Sequence, residues 1–158
     1  MTKKDCLFCK IINRIIDEEP IWENEDFAAY LDRNPNTKGA SFVVSKKHYD
    51  SDILEMDGET LFKFIRACQE TVRLMKKVLG VKRVALVIEG MGINHAHIKL
   101  YPMYGVNKKF KEAWSKQRVY LDKYKGYITT QLGPEIDRRK LKSMAKEFRQ
   151  RLNKNNLT

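Results

Sequence analysis

No stretch of about 18 consecutive apolar residues, the length a helix needs to cross a bilayer, occurs anywhere in the 158 residues. The opening Met-Thr-Lys-Lys-Asp-Cys leads straight into patterned sequence without the apolar region of a signal peptide. These absences lead us to expect a soluble, cytoplasmic protein with no membrane partner. Cysteine is scarce too, and three residues are too few for a disulfide framework. Histidine is limited to three residues, so their placement carries information. Acidic residues thin out towards the C-terminus: residues 1–105 hold 16 Lys and Arg against 15 Asp and Glu, whereas residues 106–158 hold 15 against 5. The formal net charge of +11 therefore belongs almost wholly to the tail. A chain of this length with 42% apolar residues can close one hydrophobic core. The expected organisation is one domain over residues 1–105 and a basic extension over 106–158.

What is present reads as alternating short elements. Leu7, Phe8, Ile11 and Ile12 recur at helical spacing and predict a short helix ending before Pro20. Asp26-Phe-Ala-Ala-Tyr-Leu31 and Ser41-Phe-Val-Val-Ser45 flank a polar segment with Pro35 and Gly39, the pattern of a hairpin with a long loop. Over residues 59–79, Leu61, Phe64, Ile65, Cys68, Val72, Met75 and Leu79 follow a 3-4 spacing, with Asp57 placed as N-cap and Gly80 just past the end. Val84-Ala-Leu-Val-Ile88 is an apolar strand, and after the turn marked by Gly90 and Gly92, residues 95–101 alternate strictly. In the tail, residues 127–131 could form another strand. Beyond Pro134, Leu141, Met144, Ala145, Phe148 and Leu152 form an apolar stripe on a cationic helix. That helix either docks on the core or, with Lys108 to Lys125 and Arg138 to Lys154, contacts nucleic-acid phosphates.

The strand over residues 95–101 puts His95, His97, Lys99 and Tyr101 on one face and Ala96, Ile98 and Leu100 on the other. Two imidazoles about 7 Å apart on one strand face can share a phosphate, bind a metal or position each other for proton transfer. A solvent-exposed strand that happens to carry histidine is the plainer reading. Cys6-Leu-Phe-Cys9 has a spacing suited to metal chelation or thiol redox chemistry, although no βαβ pattern of the thioredoxin kind surrounds it.

Four motifs occur in order: Cys-Leu-Phe-Cys-Lys-Ile-Ile, Phe-Ala-Ala-Tyr-Leu-Asp-Arg-Asn-Pro, Phe-Val-Val-Ser-Lys-Lys-His, and His95-Ala-His97-Ile-Lys99-Leu-Tyr-Pro102. Together they resemble the histidine-triad (HIT) superfamily over residues 5–105. The resemblance implies an α+β unit, an antiparallel sheet of about five strands with a long packed helix, paired as a homodimer. It also implies binding of a purine nucleotide or dinucleoside polyphosphate and cleavage at the α-phosphorus. His97 takes the nucleophile's position and would form a nucleotidyl-histidine intermediate. Asp32 matches the acid that holds the ribose hydroxyls, and Leu7, Phe8, Ile11 and Tyr30 fall where the base is sandwiched, unless they are ordinary core residues. Zinc-holding branches use the positions of Cys6, Cys9, His48 and His95, a Cys2His2 set for structural Zn2+.

The pattern breaks where the third histidine of the family stands, which here is Lys99. A lysine neutralises phosphate charge well but releases a proton reluctantly. Ala40 replaces another frequent histidine, and Glu89-Gly-Met-Gly-Ile-Asn94 is shorter than the usual phosphate loop, with Asn94 as a substitute phosphate donor or a turn residue. The expected activity is therefore hydrolysis of, or nucleotidyl transfer from, a nucleoside phosphoramidate or dinucleoside polyphosphate. A nucleotide-binding protein with weak turnover and a nucleic-acid-binding tail are the alternatives.

Overall fold

The computed structural model describes residues 5–107, 109, 111 and 135–153. The strand expected over 127–131, Pro134 and most of the stretch from Lys108 to Lys125 lie outside them. Among the described residues no helix is long and apolar enough to cross a membrane.

Five antiparallel strands form one sheet in the order β1-β2-β3-β5-β4. β2 (Phe27–Leu31) and β3 (Ser41–Ser45) make the expected hairpin, with Leu31 paired to Ser41 and Phe27 to Ser45. Gly39 closes their loop at φ 79°, a left-handed conformation that favours glycine, and the loop packs there against the Leu79 side chain at the end of the long helix. β5 (His97–Pro102) lies in the middle of the sheet beside β3, and β4 (Val84–Val87) forms an edge. The apolar run that reads as a continuous strand is thus half-exposed, with Leu86 open to solvent, because only one neighbour pairs with it. The other edge is β1 (Trp22–Glu23), too short to show periodicity in the sequence.

α2 (Gly58–Leu79) has the predicted caps: the Asp57 carboxylate accepts from the Thr60 N–H, and Gly80 takes the left-handed conformation. Its buried stripe runs through Phe64, Ala67, Cys68, Thr71 and Met75, and Ile65 lies off it, exposed together with Phe62. α3 (Arg138–Asn153) packs beside α2 and contributes Leu141, Ala145 and Phe148 to the same core as Val43, Ile98 and Leu100. The opposite sheet face is covered by α1 (Leu7–Ile12), where Phe8 and Ile11 meet Ala28, Tyr30 and Val44. Covering on both faces explains why every residue of β2 is buried.

Candidate functional site

The face covered by α1 is where the chemistry collects. Pairing aligns Ala28, Val44 and His97 in one row and Tyr30, Phe42 and Lys99 in the next. Side chains two residues apart share a face, so the β5 motif projects His97 and Lys99 beneath α1.

At one end of this face four ligating atoms converge. Cys6 is the N-cap of α1 and Cys9 lies in its first turn, so both thiols share a side of the helix. His48 follows β3 and His95 precedes β5. The Nδ1 atoms of His48 and His95 are 3.2 Å apart, Cys9 Sγ lies 3.3 Å from His48 Nδ1, and Cys6 Sγ lies 3.4 Å from His95 Nδ1. A tetrahedron built on ordinary Zn–S and Zn–N bonds has edges of about 3.3–3.8 Å. The donor set fits a metal of that size, and the four atoms all lie within 4.8 Å of one another. Nε2 of His95 donates to the Ser45 carbonyl at 2.8 Å, which leaves Nδ1 with its lone pair for a metal. Burial pushes the His95 imidazole down to about 4, so this ring is neutral and suited to ligation.

His97 is oriented by the same residue. Its Nδ1–H donates to the His95 carbonyl oxygen at 2.7 Å, so Nε2 keeps the lone pair. The acceptor is therefore on its own strand segment, two residues back. Burial holds the His97 imidazole below the ordinary histidine range, and Lys99 adds to the effect. Phe8 touches both rings, at centroid distances of 5.6 Å to His95 and 5.3 Å to His97.

His97 opens into a cavity of about 590 Å³. Leu7, Phe8, Ile11 and Tyr30 all line it, and Phe8, Ile11 and Tyr30 are also core residues. Asp32 lines it as well, its Oδ1 accepting from the Asn34 N–H at 2.8 Å. Asn94 does not line it: its Oδ1 accepts from the Ser51 N–H at 2.9 Å, the turn role. Lys99 lines it in a close ion pair with Glu89. Glu89 escaped the sequence reading, although Val87 pairs with Lys99 and Glu89 follows two residues later on the same face. Gly90 next to it has φ 66°, and a Cβ there would stand 2.6 Å from the Ser51 carbonyl oxygen, so the turn admits only glycine. Glu18, Arg33 and Glu135 also line the cavity. They sit in irregular segments, where no periodicity marks them.

No family model matches the chain. An uncharacterized HIT-like protein of Methanocaldococcus jannaschii is 39% identical over 104 residues, 63% of this chain and 79% of that protein. A hypothetical histidine triad nucleotide-binding protein from Sulfolobus tokodaii superposes with TM-score 0.69 at 25% identity, covering 92% of this chain and 90% of that one. A Zn-bound histidine triad family protein from Mycobacterium smegmatis shares the fold, with TM-score 0.62 at 18% identity and 94% and 96% of the two chains covered. On the sequence relationship and the common fold, the chain belongs to the histidine-triad family.

Proposed function

We propose that the protein binds a nucleotide in the 590 Å³ cavity and cleaves it at the α-phosphorus through His97. The observation that carries the reading is the Nδ1–H bond from His97 to the His95 carbonyl, which leaves Nε2 unprotonated at the cavity wall. Nε2 forms a bond to phosphorus as the bond to the leaving group breaks, and the leaving group departs with the electron pair and takes up a proton from water or the Lys99 ammonium. The ring gains positive charge in this step. The His95 carbonyl and the Glu89 carboxylate, whose charge favours the cationic form of His97, stabilise it. Water then attacks phosphorus and loses a proton to solvent, the N–P bond breaks with its electron pair staying on nitrogen, and neutral His97 returns. Another acceptor in place of water makes the protein a nucleotidyl transferase.

Substrates of this chemistry are nucleoside phosphoramidates and dinucleoside polyphosphates, with the purine between Leu7, Phe8, Ile11 and Tyr30 and the ribose hydroxyls on Asp32. Cys6, Cys9, His48 and His95 would hold a structural Zn2+, which ties α1 to the sheet and supplies folding energy, not a reacting group. A homodimer fits the exposed apolar residues Phe62 and Ile65 on α2 with Leu86 and Ile88 at the β4 edge, and sedimentation as a monomer would exclude it. The reading of the tail as a nucleic-acid contact is weakened because Arg138, Lys142 and Arg149 are engaged within the chain, with Asp17, Glu19 and Pro20. The test is release of nucleoside monophosphate from adenosine and guanosine phosphoramidates and from dinucleoside polyphosphates. Release by the wild type and none by His97→Ala supports the enzyme. Tight binding without release across the panel supports the binding-protein alternative.

A further inference from the structure

Between α1 and β1 the chain carries three successive acids, Asp17, Glu18 and Glu19, and α3 treats them unequally. Lys142 Nζ holds the Asp17 carboxylate at 2.9 Å, Arg138 reaches the Asp17 carbonyl, and Arg149 pairs with Glu19 while also donating to the Pro20 carbonyl at 3.1 Å. Both neighbours of Glu18 are thus drawn outwards to the basic helix. Glu18 itself lines the cavity, and its Oε1 is the buried side-chain oxygen without a hydrogen-bond partner among the described residues. Its backbone N–H bonds to the Ile16 carbonyl at 3.0 Å, and Ile16 packs with Phe8, Ile11 and Tyr30 at the apolar wall.

A buried carboxylate oxygen without a donor is unfavourable, and the terminal torsion of glutamate is soft enough to turn either oxygen to the cavity. The carboxylate accepts and does not donate when ionised. In a cavity read as a nucleotide site, a reading on which the following rests, we propose that Glu18 selects the base: it receives a purine edge with two adjacent N–H donors, guanine, in preference to adenine. Guanine offers N1–H and the 2-amino group side by side, which a carboxylate accepts bidentately. Adenine presents an N1 lone pair beside its amino group, and that lone pair meets the carboxylate with repulsion. Hypoxanthine keeps N1–H and lacks the 2-amino group, so it falls between. The C-terminal helix acquires a function here as the strut that aims Glu18.

Calorimetric titration of the full chain with GMP, IMP and AMP tests the assignment. The expected order is GMP, then IMP, then AMP, with at least tenfold between the first and last. Glu18→Ala and the isosteric Glu18→Gln should both collapse the GMP-to-AMP ratio towards one, and Arg149→Ala, which releases the Glu19 end of the segment, should lower it. Equal affinities in the wild type, a preference for AMP, or an unchanged ratio in both Glu18 variants overturns the assignment while leaving the nucleotide site standing. No binding of any of the three nucleotides overturns the site itself, and the assignment with it.

Discussion

The backbone carbonyl of His95 accepts the Nδ1–H of His97 at 2.7 Å, while the His95 ring points Nδ1 at Cys6, Cys9 and His48. One residue therefore serves two groups: its ring belongs to the metal-type cluster and its carbonyl fixes the tautomer of His97. Phe8, in contact with both imidazoles, joins them through packing.

Metal and catalysis are consequently expected to be linked. The purified protein should carry about one zinc per chain, by the donor set and geometry. Cys9→Ala should lose it, lower the melting temperature and reduce nucleotide turnover about tenfold or more, as changes close to a metal site commonly do. Atomic emission on the same sample used for turnover checks this. Full metal loss with unchanged turnover would uncouple the two sites.

Thiol chemistry provides an independent check. Burial pushes the Cys68 thiol up to about 12, so it should resist alkylation in the native state. Cys6 and Cys9 should react only after a chelator has stripped the metal. Mass spectrometry of alkylated peptides, with and without chelator, reads all three positions.

The Lys99–Glu89 pair predicts that loss of either half lowers turnover, by different routes. Lys99→Met removes the cation at the phosphate end, and kcat/KM should fall about 100- to 1000-fold, the loss of one charge-stabilising contact. Glu89→Gln frees Lys99 for phosphate, so product monophosphate should bind several-fold tighter. Turnover should nevertheless fall, because the carboxylate no longer stabilises the cationic ring. Product inhibition and turnover measured together on both variants decide the matter.

α3 is expected to be integral to the fold. Phe148 is 1% exposed within the core shared with α2, so Phe148→Ala should cost about 3–5 kcal/mol in denaturant unfolding. A loss under about 1 kcal/mol would mean that the helix is a detachable tail.

Much of this site was legible before any coordinates. The alternation of residues 95–101 placed His97 and Lys99 on one face, Asp57 and Gly80 bounded α2 correctly, and Cys6, Cys9, His48 and His95 proved to be neighbours although up to 89 positions separate them. Strand and helix periods carry the first two of these, whereas the four ligating residues were legible only through their chemical type and the family resemblance. Glu89, Glu18, Arg33 and Glu135 were not legible, because turns and connecting segments have no period and their partners come from distant elements. Ile65 followed the apolar spacing and is nevertheless exposed, since Phe64, Cys68 and Met75 already fill the contact with the sheet. Asn94 stands in the loop expected to touch phosphate, yet its side chain bonds to the Ser51 backbone instead.

The central claim is that His97 attacks phosphorus, and a rapid-quench intact-mass experiment tests it most directly. Mixing the protein with a guanosine phosphoramidate and quenching within the first turnovers should reveal a species heavier by one nucleotidyl group, mapped to His97 and absent from His97→Ala. Turnover by a wild-type enzyme that never carries the adduct, or an equally active His97→Ala, would contradict it.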